Sequence, residues 1–220
     1  MSQEAMKVYT HRSPAGDFFD VVMFPFRAVS IHEQSRWGLS SLRDQRMRTV
    51  AKYCSGRTLD IGCGPNNIFI RYCYRDPDSV GIDCFPYEGV ENIMEDVSAI
   101  PFPDASFDTI TLIAVGGHIP RSKRKAEFRE FGRLLKGGGH LIMTEGEPIT
   151  QFLLHKWAFL YYSMLGKKDM DTERGMHEEE DYCMPRREIY EYLNASPLQL
   201  IKRVRFMWGL NNIYIAQKCQ

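Results

Sequence analysis

Two glycines ending one short apolar run, and a carboxylate ending the next, are the residues of this chain with the plainest chemical purpose. Leu59-Asp60-Ile61 leads straight into Gly62-Cys63-Gly64-Pro65-Asn66, and Ser79-Val80-Gly81-Ile82 stops at Asp83. A strand end, two glycines and a helix start make a turn in which backbone can approach a ligand that a Cβ would hold away. On its own such a pair serves equally as a tight strand-to-helix turn. Asp83 adds weight, because a carboxylate closing the neighbouring strand can accept hydrogen bonds from both hydroxyls of a ribose. The dinucleotide pattern requires a third glycine at position 67, where Asn67 stands, so NAD and FAD are disfavoured. No Gly-Lys-Ser/Thr follows that would mark a phosphate loop. Past a later apolar run, Asp108 to Val115, comes Gly116-Gly117-His118-Ile119. A histidine with the ordinary pKa of about 6.5 suits proton removal at neutral pH, and serves as readily to cap a strand or helix end.

Those residues need a framework, and the order of the runs supplies one. Thr58 to Ile61 and Ser79 to Asp83 read as short strands, with a helical stretch from Asn67 to Tyr74 between them. Asp108 to Val115 is β-branched and apolar throughout, as suits a strand buried on both faces. Residues 121 to 136 form an amphipathic pattern with Phe128, Phe131, Leu134 and Leu135 on one side. Gly137-Gly138-Gly139 is expected to end that helix, and His140 to Glu145 is a further strand. Strand and helix in this alternation predict a parallel sheet with crossover helices. Leu198 to Trp208 and Asn212 to Lys218, joined by Gly209-Leu210-Asn211, read as a hairpin on one edge. The predicted architecture is an α/β, Rossmann-like doubly wound sheet, mostly parallel with a C-terminal antiparallel hairpin edge. It carries N-terminal helices (1–56), an α/β core (57–146 and 185–220) and a helical insertion (147–184) expected to act as a lid, all in one structural domain. In the N-terminal part, Asp17 to Ile31 is rich in Phe, Val and Met. Gln34 to Cys54 places Trp37, Leu39, Leu42, Met47, Val50 and Tyr53 near one helical stripe.

Composition narrows the class further. Twenty-eight basic and 28 acidic residues cancel, which argues against a protein that works by clamping a nucleic-acid backbone. The six cysteines include no C-x-x-C pair, so neither a disulfide framework nor a metal site is indicated and a reducing, cytoplasmic setting is expected. MSQEAMKVYTHRS lacks the apolar run of a signal peptide, and nowhere do 18 apolar residues follow one another.

Taken together, LDIGCGPN (59–66), GID (81–83), EDVSAIPFPDASFDTITLI (95–113) and EFREFGRLLKGGGHLIMTE (127–145) resemble the class I S-adenosylmethionine-dependent methyltransferases. The likeness is to the small-molecule group that also holds the quinone-biosynthesis C-methyltransferases. It spans roughly 57 to 145, with ordered motifs. The resemblance implies S-adenosyl-L-methionine as cofactor, its methionine end lined by Asp60, Gly62, Cys63 and Gly64. It implies ribose binding by Asp83, and adenine flanked by Cys84 and Phe85. Asp96 would accept from the adenine amine and the Val97 N–H would reach a ring nitrogen. Ala114 and Val115 would turn carbonyl oxygens toward the cofactor's ammonium group. Asn66 stands where the family often has glycine, and asparagine tolerates the left-handed region. Only 12 residues separate Asp83 from Asp96, so a loop over Phe85 to Glu91 is expected in place of the usual crossover helix.

Methyl transfer from a sulfonium needs alignment, exclusion of water and, for some acceptors, a base. His118 is the candidate catalytic base. Gln151 to Leu165 is apolar nearly all round, more than a surface helix requires. A lid over a hydrophobic acceptor, a homodimer interface or an interfacial membrane contact would each explain it. His177 and Tyr182 could reach the site, whereas Glu178 to Asp181 reads as solvated loop. The expected activity is methyl transfer to a small, partly apolar metabolite. Methylation of protein or RNA, and a cofactor-binding scaffold without turnover, remain open alternatives at this stage.

Overall fold

In the computed structural model, residues 12–30, 35, 37–164, 166 and 179–219 are described. Seven strands build one sheet: β1 (Thr58–Ile61), β2 (Val80–Asp83), β3 (Asn92–Ile93), β4 (Phe107–Ile113), β5 (Leu135–Gly146), β6 (Leu198–Phe206) and β7 (Asn211–Lys218). Their spatial order is β3-β2-β1-β4-β5-β7-β6. The first five run parallel, with Leu59 opposite Ile110 and Ile61 opposite Leu112. The last two are antiparallel, and β7 lies between β5 and the edge strand β6. Strand order reverses between β1 and β4, and a crevice opens beyond the strand ends at such a reversal.

Side-chain alternation divides the core in two. Leu59, Ile61, Ile110, Leu112, Leu141, Met143, Tyr214 and Ala216 share one cluster with Phe128, Phe131, Ile189 and Leu193. The last four come from the helices Arg121–Leu134 and Arg186–Asn194. Ile142, Ile213 and Ile215 join a second cluster with Met47, Val50, Phe69 and Ile70, drawn from the helix Leu42–Ala51 and the π-type helical turn Phe69–Tyr74. The successive helices are α1 (Pro14–Val22), α2 (Phe24–Val29), α3 (Leu42–Ala51), α4 (Arg121–Leu134), α5 (Pro148–Met164) and α6 (Arg186–Asn194).

Several boundaries differ from the expected ones, each for a local reason. The Asp17-to-Ile31 stretch is two helices, broken at Met23 with Pro25 in the first turn of the second. The stripe expected from Gln34 begins only at Leu42: Trp37 and Gly38 take φ of 54° and 70°, and Ser41 caps α3 by accepting from the Asp44 N–H at 3.0 Å. Ile31 to Gln34 and Arg36 lie outside the described residues. Helix α4 stops at Leu134, before the glycines, because the Arg133 and Leu134 carbonyls accept from the Ala105 and Ser106 N–H groups. The glycine run falls instead within β5, beside a register shift between Phe107 and Thr109. Between β2 and β3 the chain is a loop without a helix, as the 12-residue spacing required.

Candidate functional site

Beyond the carboxyl ends of β1, β2 and β4 lies a cavity of about 540 Å3. The glycine loop forms one wall. Gly62 has φ of 70°, and a Cβ there would come within 2.5 Å of the Val115 side chain. Gly64 has φ of 65°, and a Cβ on it would meet nothing within 4 Å, so this backbone faces open space. Asn66 follows at φ 61°, in the left-handed region.

Asp83 is only 6 % exposed, and both of its oxygens are held. The Gly64 N–H donates to Oδ2 at 2.9 Å and the Phe85 N–H to Oδ1 at 3.0 Å. The carboxylate is thereby oriented before any ligand arrives, and each oxygen keeps a further lone pair. Gly62, Cys63, Gly64, Asp83, Cys84, Phe85, Val97, Ala114, Val115 and His118 all line the cavity. Ala114 holds a left-handed φ of 60°, strain of the kind that clusters at functional sites. Cys63 is buried, and burial pushes its thiol pKa up, which disfavours the thiolate.

Two expected residues sit elsewhere. Asp60 lies beneath the loop, 2 % exposed, where the Thr111 hydroxyl donates to Oδ1 at 2.6 Å. Burial pushes its pKa up to about 7; the Thr111 bond opposes the rise and nearby Asp83 adds to it. A carboxyl whose folded pKa is raised contributes stability below its unfolded pKa and loses it as pH rises through the folded value. Asp60→Asn should therefore gain stability relative to the parent between pH 4 and pH 8, read as the difference in Tm across that range. A constant difference would contradict a raised pKa. Asp96 is exposed, and its Oδ1 accepts from the Ser98 N–H at 2.9 Å. Its neighbours Glu95 and Val97 line the cavity, and its own side chain does not.

His118 and Glu180 lie together in the cavity lining. His118 ends the short helical turn Gly116–His118, with Nδ1 3.3 Å from Glu180 Oε2. Glu180 is not solvated loop: its side chain is 7 % exposed and lines the cavity. The segment carrying it is pinned because the Asp181 N–H donates to the Gly117 carbonyl at 2.9 Å, while Arg121 and Arg124 both reach the Asp181 carboxylate. His177 lies outside the described residues. Also unread in the sequence were Arg43 and Arg46 of α3 and Glu127 of α4, all in the lining. The expected lid does form a helix, α5, with Leu165 outside the described residues. None of its residues lines the cavity, and the Trp157 indole N–H donates to the Val29 carbonyl at 2.8 Å, tying α5 to α2. No helix among the described residues is long and apolar enough to cross a membrane.

Residues 59–143 match a family model described as a methyltransferase domain. A candidate methyltransferase of Encephalitozoon cuniculi is 34% identical over 123 residues, which are 53% of this chain and 56% of that protein. The ubiquinone/menaquinone biosynthesis C-methyltransferase of Geotalea daltonii is 29% identical over 127 residues, 49% of this chain and 52% of that protein. The chain spans about half the length of the curated relatives it matches. Among solved structures, a protein of Pyrococcus horikoshii superposes with a TM-score of 0.58 at 16% identity, over 80% of this chain and 90% of that one. The N-methyltransferase NodS of Bradyrhizobium japonicum, in complex with S-adenosyl-L-homocysteine, gives 0.51 at 14% identity, over 81% and 86%. Residues 59–143 are thus similar to a methyltransferase domain, and the chain has the fold of solved S-adenosylmethionine-dependent methyltransferases.

Proposed function

We propose that this chain transfers a methyl group from S-adenosyl-L-methionine to a small, partly apolar acceptor. The observation that carries the reading is the Asp83 carboxylate, fixed by two backbone N–H groups at the rim of a cavity whose other wall is a glycine loop. That arrangement fits a nucleoside bearing a charged amino-acid tail. Asp83 accepts from the ribose hydroxyls; the bare backbone of Gly62, Cys63 and Gly64 admits the methionine end. Asp60, beneath the loop, becomes a negative neighbour of that end as pH rises past about 7. Ala114 and Val115, at the end of β4, offer carbonyls to the ammonium group. Cys84, Phe85 and Val97 enclose the base.

When bound, the cofactor supplies an activated methyl on its sulfonium. The chain's contribution is to hold the acceptor in line with it, exclude water and take up a proton. His118 is placed for the last, and Glu180 beside Nδ1 orients its ring. Apolar lining from Leu42, Met47 and Ile113 supports an acceptor with an apolar part. His118→Ala should lower kcat by about a hundredfold or more and leave cofactor affinity within a few-fold. Glu180→Gln should give a smaller fall. The test is methyl incorporation from labelled cofactor into metabolite pools, with calorimetry of S-adenosylhomocysteine in parallel. Parental turnover by His118→Ala would remove the base, and no incorporation into any small molecule would remove the acceptor class.

A further inference from the structure

We propose that Glu127 reads the base of the cofactor by accepting a hydrogen bond from the exocyclic amine of adenine. This rests on the cofactor reading above. Glu127 lies on α4, is 2 % exposed, and nonetheless lines the cavity. Its Oε2 is buried without a hydrogen-bond partner. A buried acceptor left without a donor is costly, so such an atom in a ligand cavity calls for a donor carried in by the ligand.

The surroundings say what kind of donor. Met94, Val97, Ile119 and Pro120 line the same cavity, as does Phe85, two residues beyond Asp83. An apolar slot ending in one carboxyl suits a flat heterocycle with an amine on its far edge. With the ribose at Asp83, the adenine of the cofactor occupies that slot, and its amine meets Glu127.

Glu95, which also lines the cavity, is exposed, and two further acids nearby are committed elsewhere. Glu130, one turn further along α4, accepts from the Ile100 N–H at 2.8 Å and from Arg133 at 2.6 Å. Asp96 is exposed and bonded to the Ser98 N–H. Burial pushes the Glu127 pKa up to about 7; Asp96 adds to the rise, and Lys123 and Arg124 oppose it. In either protonation state one oxygen stays available as an acceptor.

The experiment is calorimetry of the full chain with S-adenosylhomocysteine and with its 6-oxo analogue, S-inosylhomocysteine, which sets an acceptor against an acceptor. The parent protein should prefer the amine by about tenfold or more. Glu127→Leu should bind the two within about threefold of each other, and Glu127→Gln, whose amide can accept from the amine or donate to the 6-oxo oxygen, should keep S-adenosylhomocysteine affinity while losing most of the preference. Equal affinities in the parent protein would overturn the proposal without any variant. So would an intact preference in folded Glu127→Leu, or its loss in Asp96→Ala. Absence of S-adenosylhomocysteine binding altogether would instead defeat the cofactor reading beneath it.

Discussion

Asp83→Ala is expected to lower S-adenosylhomocysteine affinity by at least about a hundredfold, because two charge-assisted hydrogen bonds to the ribose are lost together. The substitution also frees the Gly64 and Phe85 N–H groups, so the loop and the start of the adenine slot lose their common anchor. Both effects act on the cofactor, and the core clusters on either side of the sheet are untouched. Calorimetry together with a thermal melt separates them: weak binding with a Tm within a few degrees of the parent is the expected pair of results. Asp83→Asn, which keeps one acceptor oxygen, should fall between parent and alanine. Parental affinity in Asp83→Ala would dismiss the ribose role and leave the glycine loop as a turn.

Arg124→Ala is expected to be the most destabilising single change near the site, at about 3–5 kcal/mol. Arg124 is fully buried. Its Nε donates to the Ile119 carbonyl at 2.9 Å, Nη1 to Glu188 at 2.7 Å, and Nη2 to the Gly117 carbonyl at 3.1 Å and Asp181 at 2.9 Å. One side chain thus joins α4, the turn carrying His118, the segment carrying Glu180 and helix α6. Its removal leaves the Ile119 carbonyl and the Glu188 carboxylate without this donor, whereas the Gly117 carbonyl keeps the Asp181 N–H and the Asp181 carboxylate keeps Arg121. Turnover should drop with stability, since Glu180 loses the support that keeps it beside His118.

The same variant has a pH signature. The Asp181 pKa lies below the ordinary aspartate value, chiefly through the hydrogen bond from Arg121 and, against the opposing effect of burial, through Arg124 as well. A carboxylate with a depressed folded pKa contributes stability above its unfolded value of 3.8 and loses it as pH falls through the folded one. The stability gap between parent and Arg124→Ala should therefore narrow below pH 4. Urea unfolding at pH 7 and pH 3.5 measures it, and an unchanged gap would show that the Asp181 pair carries none of the loss.

Much of this molecule is readable without a structure. A β-branched apolar run along 108–115, glycines where a positive φ is needed, and an acid closing a strand all depend on a few neighbouring residues. So the strands, the glycine loop, Asp83 and the terminal hairpin emerge from local pattern. The 12-residue spacing to Asp96 sufficed to exclude a crossover helix, since chain length alone limits what can bridge two strands.

What the sequence left undecided turns on partners far along the chain. Glu127 and Glu130 are one helical turn apart and both buried; Ile100 and Arg133 occupy the second, and the first faces the cavity. Glu180 sits in an acidic run that reads as solvated, yet Arg121 and Arg124, some 60 residues earlier, hold its neighbour Asp181. The glycines at 137–139 have the composition of a helix end, but carbonyls taken by Ala105 and Ser106 ended the helix first. By itself the sequence determined the sheet, the loop and the acid that closes β2, because backbone geometry and burial period are properties of short segments. Which acids and arginines face the cavity was decided by the tertiary structure alone, because burying a charge is favourable only where a distant segment, or a ligand, brings its partner.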